Sequence, residues 1–159
     1  MKIEYTQIGV INSPFKELPN MPIQPAKAAG VQGSVEVFEE FRPGLQDLGG
    51  FSHIILLYCF HRSKGYKLQV VPFMDTQPRG VFSTRSPKRP NPLGLSVVRL
   101  LRIENEMLYI MNVDILDGTP LIDIKPYVPE FDVQTNIRTG WLEQVKKTVS
   151  KSRSENQFE

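Results

Sequence analysis

A stretch of basic side chains without a single acid is the first feature of this sequence that could do chemistry. Between Thr76 and Ile103 there is no Asp or Glu, while six cations occur: Arg79, Arg85, Lys88, Arg89, Arg99 and Arg102. Such a stretch attracts anions, and phosphate backbones are the commonest large anionic partner. The charge alone is equally compatible with a solvated loop whose cations pair with acids elsewhere in the chain.

Three prolines stiffen the middle of this stretch, which reads GVFSTRSPKRPNPLGLSVV from Gly80 to Val98. Because Pro fixes φ, we expect Arg85 and Arg89 to be presented in a preset geometry, and the planar guanidinium fork suits carboxylates and phosphates. Asn91, between two prolines, can offer both donors and acceptors to an adenine edge. The competing interpretation is a rigid loop that plugs the end of a barrel.

Two shorter segments could also contact a ligand. The run DILDGTPLIDIKPY contains Asp117-Gly118, a pair typical of tight turns in which the carboxylate accepts from nearby backbone N–H groups. Its other oxygen could accept from a ligand amine or a ribose hydroxyl. In the segment Pro22-Ile23-Gln24-Pro25, the Gln24 amide can donate and accept, which suits a purine edge. Neither segment is specific when it is taken alone.

The motifs of most common enzyme classes are missing from the sequence. It has no glycine-rich dinucleotide turn, no phosphate-loop lysine, no Gly-x-Ser-x-Gly elbow and no Cys/His cluster at metal-ligand spacing, so we expect no metal. His53 and His61 lie roughly 26 Å apart if the strand between them is extended, too far to share a metal or a proton. Methyl transfer from S-adenosylmethionine remains compatible, because the sulfonium is already activated and the reaction needs mainly orientation.

Short strands joined by irregular loops must position these segments, because thirteen Pro and eleven Gly are spread through the chain. Periodicity predicts one helix, from Trp141 to Ser150, and Glu104-Asn105-Glu106 indicates a hairpin. The predicted strands are Ile3 to Ile11, Gly33 to Phe38, Phe51 to Phe60, Lys67 to Phe73, Gly94 to Ile103, Met107 to Asp114 and Leu121 to Tyr127.

The predicted fold is therefore mainly β: a single small β-barrel of six to seven short strands with long Pro-rich loops and a C-terminal helix. Closing the barrel removes the exposed edges that such strands would otherwise present. Phe51 to Phe60, the most apolar run, is expected to be central and buried on both faces.

Length and composition predict one domain over residues 1–150, followed by a polar tail over residues 151–159. The start of the chain lacks the layout of a signal peptide, and no apolar run approaches the roughly 20 residues of a membrane helix. Cys59 is the only cysteine, so no internal disulfide is possible. We therefore expect a cytoplasmic protein without a membrane partner.

Four segments together resemble one family, the TrmO/TsaA-like tRNA methyltransferases. They are the runs FSTRSPKRPNPLGLS and DGTPLIDIKPY, the early IGVINSPFKE, and the FSH-plus-apolar strand that ends in FH. The resemblance covers about Ile3 to Tyr127. It implies a single β-barrel domain, a homodimer, and S-adenosyl-L-methionine bound near the dimer interface. Bacterial members methylate N6 of N6-threonylcarbamoyladenosine next to the anticodon of a threonine tRNA. Many of them carry an additional C-terminal domain, which we expect this chain to lack.

The same resemblance assigns cofactor contacts along the chain. They are Pro22, Ile23, Gln24, His61, Arg62, Arg85, Leu95, Ile115, Leu116, Asp117 and Gly118. The family often has an arginine where this chain has Ile23, so one contact there is either through the backbone or missing. Arg85 and Asp117 are the candidate catalytic residues, and Lys88, Arg89 and Asn91 the candidate nucleic-acid contacts.

The resulting hypothesis is an S-adenosylmethionine-dependent tRNA (adenine-N6) methyltransferase. Arg85 would anchor a polar end of the cofactor or the threonyl carboxylate of the substrate, and the basic residues would engage tRNA phosphate. Asp114, Asp117 and the substrate's own carboxylate remain alternatives for the base that removes the N6 proton. Two rival classes stay open: a non-catalytic RNA- or nucleotide-binding barrel, and a small-molecule methyltransferase with the same cofactor pocket.

Overall fold

The computed structural model of the chain describes residues 1–17, 28–73 and 75–145. Eight strands and one short complete helix occur in these ranges, together with three 3-10 segments at Glu39–Leu45, Leu48–Gly50 and Val81–Ser83, and residues 141–145 are helical as well. The strands are β1 (Gly9–Asn12), β2 (Gln32–Val37), β3 (His53–Cys59), β4 (Gln69–Val70), β5 (Arg79–Gly80), β6 (Leu93–Glu104), β7 (Met107–Met111) and β8 (Thr119–Pro126), and the helix is α1 (Pro129–Asp132).

Six of these strands form a closed barrel in the order β1-β2-β7-β6-β3-β8, and every neighbouring pair is antiparallel. Each barrel strand therefore has a partner on both sides, and the barrel has no open edge. β4 and β5 form a separate two-stranded ribbon. The mainly β barrel that the sequence predicts is confirmed.

The core fills the inside of the barrel because side chains alternate in and out along each strand. In β3, Ile54, Leu56 and Tyr58 point inward and are buried. The Tyr58 ring lies across Gly94 of β6, where a Cβ would come within 2.2 Å of it, so only glycine fits beneath the ring. The rest of the cluster is aliphatic: Ile11, Val35, Val37, Val98, Leu100, Leu108, Ile110, Val113, Ile115 and Leu121.

The prediction that the β3 strand is buried on both faces is wrong. Its alternate residues, including Ile55 and Leu57, face outward and are only half-buried. A barrel sheet has a single inner face, whereas burial on both faces requires layers packed on each side. The apolar outer face of β3 is therefore only partly covered within the described part of this chain.

Several predicted boundaries also differ from the structure. Strand pairing begins at Gly9 rather than Ile3, and the predicted strand over Lys67 to Phe73 is reduced to the two residues of β4. The hairpin between β6 and β7 is confirmed, with positive φ at Asn105 and Glu106 as a tight two-residue turn requires. Residues 141–145 are helical, and the remainder of the predicted C-terminal helix lies outside the described residues.

The two ends of the barrel are closed differently. At one end, the 3-10 segments packed by Phe41, Leu45 and Leu48 cover the core. At the other end, long connections leave and enter the strands.

Within the described ranges, no helix has the length and apolar character needed to cross a membrane.

Candidate functional site

The barrel topology brings together, at one end, the predicted site residues that the structure describes. Because neighbouring strands alternate in direction, β1, β3 and β7 end where β2, β6 and β8 begin. The three connections at this end cover residues 13–31, 60–92 and 112–118. We call this the loop end; except for Leu95 near the start of β6, these three connections carry every residue that the sequence assigned to the site.

The Asp117 turn is held by the beginning of the first connection. Gly118 has φ +72°, a conformation that favours glycine. Asp117 Oδ1 accepts from the Ser13 backbone N–H at 2.9 Å, and Oδ2 accepts from Lys16 Nζ at 2.5 Å. The Lys16 hydrogen bond, aided by the Ser13 N–H, holds the pKa of Asp117 below its usual value. Asp117 is therefore a firmly ionised carboxylate with both oxygens engaged.

The same contacts fix the entrance of the segment that contains Gln24. Ser13 Oγ donates to the Ile115 carbonyl at 2.6 Å, and the Asp117 N–H donates to the Phe15 carbonyl at 2.8 Å. On the far side of the segment, the Gly30 N–H donates to Asn112 Oδ1 at 2.9 Å. The predicted contacts Pro22, Ile23 and Gln24 lie outside the described residues; the chain before them is anchored to the Asp117 turn, and the chain after them to Asn112 at the end of β7.

The end of β3 brings His61 close to the start of β8. The His61 N–H donates to the Cys59 carbonyl at 2.8 Å, and His61 Nδ1 lies 3.5 Å from Thr119 Oγ1. Partial burial, followed by the charge of Arg62, lowers the pKa of His61, so the imidazole is neutral at pH 7. Arg62 is exposed and has no hydrogen-bond partner among the described residues.

The proline-rich part of the second connection is braced by hydrogen bonds to backbone carbonyls. Arg89 Nη1 donates to the carbonyls of Thr84 at 3.0 Å and Ser86 at 3.2 Å. Lys88 Nζ donates to the Lys64 carbonyl at 2.8 Å. The predicted stiffness of this loop therefore has a physical cause beyond its prolines, and the Arg89 guanidinium takes part in it.

Arg85 differs from the other two cations of the loop. Its side chain is exposed and makes no hydrogen bond or ion pair with any residue in the described ranges. It lies close enough to Tyr58 for its charge to act on the phenol. Asn91, also exposed, uses its backbone carbonyl to accept from the Leu93 N–H at 2.8 Å. Arg85 thus presents a free guanidinium at the loop end.

The remaining predicted contacts fall into two groups. Ile115 and Leu116 are buried, and their carbonyls already accept from Ser13 and Thr119 hydroxyls. Leu95 points outward from β6 and is 49% exposed. It belongs to an apolar stripe on the outside of the barrel, which we call the outer stripe: Ile55, Leu57, Leu93, Leu95 and Val97.

Sequence reasoning did not single out one polar cluster at this end. The Tyr58 hydroxyl lies 3.0 Å from Ser96 Oγ, which donates to Asp114 Oδ1 at 2.8 Å. Tyr58 lies within an apolar strand and Ser96 at an inward position of another, so the available signal in the sequence was a polar residue at a core position.

Within the described ranges, no three His, Cys, Asp or Glu side chains form a group that could hold a metal ion.

Comparison with known proteins places this site in a family. The family described as the tRNA-methyltransferase O N-terminal domain matches residues 10–133. A protein of Pyrococcus abyssi, described as a probable S-adenosyl-L-methionine-binding protein, is 54% identical over 158 residues, which cover 99% of this chain and 86% of that protein. The tRNA (adenine(37)-N6)-methyltransferase of Escherichia coli is 36% identical over 136 residues, covering 79% of this chain and 58% of that enzyme.

The fold is likewise similar to that of solved structures. A crystal structure of TrmO from Pseudomonas aeruginosa aligns with a TM-score of 0.74 and 37% identity, covering 90% of this chain and 62% of that one. This chain thus spans less than two thirds of the E. coli enzyme and of the P. aeruginosa TrmO. With its barrel, its loop end and most of its length matched, the chain belongs to the tRNA-methyltransferase O family.

Proposed function

We propose that this protein is an S-adenosylmethionine-dependent methyltransferase that modifies N6 of N6-threonylcarbamoyladenosine next to the anticodon of tRNA. The observation that carries the proposal is the family match over residues 10–133, because a relative matched over most of this chain is named a tRNA (adenine(37)-N6)-methyltransferase. Other relatives are named S-adenosyl-L-methionine-binding proteins, which supports the cofactor. The threonylcarbamoyl group is the finer part of the proposal and rests on the family resemblance.

The donor and acceptor groups at the loop end fit the polar parts of S-adenosylmethionine. Arg85 and Arg62 have guanidinium groups without partners in the described part of the chain, and either suits the carboxylate of the methionine moiety. The ionised Asp117 suits ribose hydroxyls or the amino group, and the neutral His61 can accept or donate. The bound cofactor would supply the methyl group on an activated sulfonium.

The residues of the second connection would hold the RNA. Lys88 Nζ uses one of its N–H groups on the Lys64 carbonyl and has others free for a phosphate. Arg89 shapes the loop by donating to two carbonyls, so its contribution to binding is mainly to keep Arg85, Lys88 and Asn91 in place. No acid lies between Thr76 and Ile103, so nothing in this segment opposes an approaching phosphate backbone.

The active form would be a homodimer of a domain spanning residues 1–150, with residues 151–159 as a tail. The outer stripe supports this, since β3 and β6 pair side by side and place Ile55 next to Val97 and Leu57 next to Leu95. Leu93, Leu95 and Val97 are 37%, 49% and 44% exposed, although they are apolar. A second copy packed on the stripe would bury it and bring the partner close to Leu95.

Calorimetric titration of S-adenosylmethionine into the purified protein tests the cofactor, after mass spectrometry has shown that none copurified. Saturable binding near one per chain is expected. Transfer of a tritiated methyl group to tRNA carrying N6-threonylcarbamoyladenosine then tests the reaction, and the same tRNA without the threonylcarbamoyl group tests the substrate. A folded, empty protein that binds no cofactor would contradict the methyltransferase assignment.

The two rival classes give different results in these assays. A non-catalytic RNA-binding barrel binds tRNA but forms no methylated product. A small-molecule methyltransferase binds the cofactor but has no salt-dependent affinity for tRNA. Transfer to unmodified and modified tRNA at equal rates would keep the adenine-N6 activity and contradict the threonylcarbamoyl requirement.

A further inference from the structure

Three side chains form a hydrogen-bonded series that connects the barrel interior to the loop end. Tyr58 on β3 is buried, and its hydroxyl lies 3.0 Å from Ser96 Oγ on β6, which is buried as well. Ser96 Oγ lies 2.8 Å from Oδ1 of Asp114, the half-buried residue that opens the DILDG segment. Gly94 leaves the space in which the Tyr58 ring lies, so the backbone itself sets the position of the hydroxyl.

The donor and acceptor roles in this hydrogen-bonded series can be assigned in only one way. Ser96 has a single hydroxyl hydrogen and gives it to the Asp114 carboxylate, so the Tyr58 hydroxyl must donate to Ser96 Oγ. Burial raises the pKa of Tyr58 to about 12, so the phenol keeps its hydrogen at neutral pH. Two donors in series therefore point at one oxygen of Asp114 and fix the orientation of its carboxylate.

The second carboxylate oxygen of Asp114 is the open end of this hydrogen-bonded series. Oδ2 has no hydrogen-bond partner among the described residues, and the side chain is partly open to solvent at the loop end. Asp117, three residues later, has both oxygens engaged by Ser13 and Lys16 and a lowered pKa. Of the two carboxylates in this segment, Asp114 is therefore the one that can accept a proton from a bound substrate.

We propose that Asp114 is the catalytic base for methyl transfer, and that Ser96 and Tyr58 are its positioning residues. This inference rests on the proposed function. As the bond between N6 and the methyl carbon forms, the bond between that carbon and sulfur breaks and its electron pair stays on sulfur. N6 becomes strongly acidic as it gains the methyl group, and its proton passes to Asp114 Oδ2. The protonated carboxyl then loses this proton to solvent, to which it is partly open.

The experiment compares Asp114→Asn, Ser96→Ala, Ser96→Thr and Tyr58→Phe with wild type and with Glu104→Gln. Glu104 is an exposed carboxylate at the far end of β6, about 27 Å from Ser96. Single-turnover methylation of tRNA carrying N6-threonylcarbamoyladenosine is measured at pH 7 with the cofactor saturating. Calorimetric affinity for S-adenosylmethionine and a thermal melt are recorded for each variant.

Asp114→Asn is expected to lower the rate at least about 100-fold, while cofactor affinity stays within about twofold. Ser96→Ala and Tyr58→Phe should lower the rate about tenfold at unchanged cofactor affinity, because the carboxylate is no longer held in its orientation, and Ser96→Thr, which keeps the hydroxyl, should restore the rate. Glu104→Gln should match wild type. An Asp114→Asn variant with the wild-type rate overturns the inference but leaves the proposed function intact.

A merely structural role is excluded by the same data. If Ser96→Thr is as slow as Ser96→Ala, the positioning role of the Ser96 hydroxyl is wrong. If Asp114→Asn melts early and loses the cofactor, the role of the carboxylate is structural and the assignment fails. If wild type binds the cofactor but methylates no tRNA, the proposed function fails, and the base assignment fails with it.

Discussion

Asp114 and Asp117 lie three residues apart but have opposite surroundings. Asp114 shares one oxygen with Ser96 and leaves the other free, whereas Asp117 receives hydrogen bonds from Lys16 and the Ser13 backbone on its two oxygens. The first arrangement prepares a carboxylate to react. The second uses a carboxylate to join two connections of the loop end, which is a contribution to stability.

Asp117→Asn is therefore expected to destabilise the protein by about 1–2 kcal/mol at pH 7, since it removes charge from hydrogen bonds to a group that is mostly shielded. The pKa of Asp117 is lowered in the folded state, so its stabilisation is complete above the unfolded value of about 3.9 and is lost as pH falls through the folded value. The difference between variant and wild type should therefore shrink at pH 3.

Urea denaturation at pH 7 and pH 3 measures this difference. Asp123→Asn is the matched control, because Asp123 pairs with Lys125 on the exposed face of β8 and a surface ion pair contributes little. A difference for Asp117→Asn that is the same at both pH values would show that its charge has no part in holding the turn.

Arg85→Ala should separate activity from stability. The side chain is exposed and has no partner in the described part of the chain, so unfolding free energy should change by less than about 0.5 kcal/mol. If its guanidinium binds a carboxylate of the cofactor or the substrate, kcat/KM for methylation should fall about 10- to 100-fold.

The control for Arg85 is Arg102→Ala, which also removes one positive charge. Arg102 lies over the Tyr109 ring at 3.8 Å and pairs with Glu104 on the β6–β7 hairpin, away from the loop end. Its removal should leave methylation unchanged. Equal losses from both variants would mean that Arg85 acts only through net charge.

At the scale of elements, the braced segment from Thr84 to Pro92 separates two kinds of cation. Lys88→Ala should weaken tRNA binding and reduce the slope of log affinity against log salt by about one, as expected for one lost phosphate contact.

Arg89→Ala should lower tRNA affinity and also increase amide exchange at Thr84 to Ser86, because the backbone carbonyls of Thr84 and Ser86 lose their donor. Fluorescence anisotropy at several salt concentrations and hydrogen exchange measure the two effects. An unchanged salt slope in Lys88→Ala would contradict its contact with phosphate.

The strands show which elements can be predicted from sequence. The hairpin around Asn105 was predictable because alternation and turn residues are local signals. β5 was not, since Arg79 and Gly80 show no alternation and their pairing depends on β4. The error for β3 has a similar origin: an apolar run shows that side chains avoid water, but not whether a second layer or a second chain covers them.

The same limit explains which part of the site was predicted. The Asp117 turn and the basic loop are contiguous segments with recognisable residues, so the sequence alone was enough to name them as candidates. The hydrogen-bonded series from Tyr58 through Ser96 to Asp114 depends on the register of β3 with β6, in which Leu56 pairs with Ser96 and Tyr58 with Gly94. No local pattern contains that register, so a functional cluster spread over three elements appears only in the folded molecule.

At the scale of the whole molecule, the outer stripe makes the oligomeric state testable. Val97 points outward and is 44% exposed, so Val97→Glu should leave the barrel folded while placing a charge in the middle of the apolar surface. Burying that charge between two copies would cost several kcal/mol, enough to dissociate a dimer of moderate affinity. Light scattering at micromolar concentration should give twice the 18.1 kDa chain mass for wild type and a single chain mass for Val97→Glu. Phe131→Glu, an exposed position on α1 outside the stripe, should remain dimeric.

A wild-type protein with the mass of one chain, or a Val97→Glu variant that stays dimeric, would place the subunit contact elsewhere or remove it. Leu95, a predicted cofactor contact, lies two residues from Val97 on the same outward face of β6. Loss of the dimer should therefore also weaken binding of S-adenosylmethionine, which calorimetry on the same two variants would show.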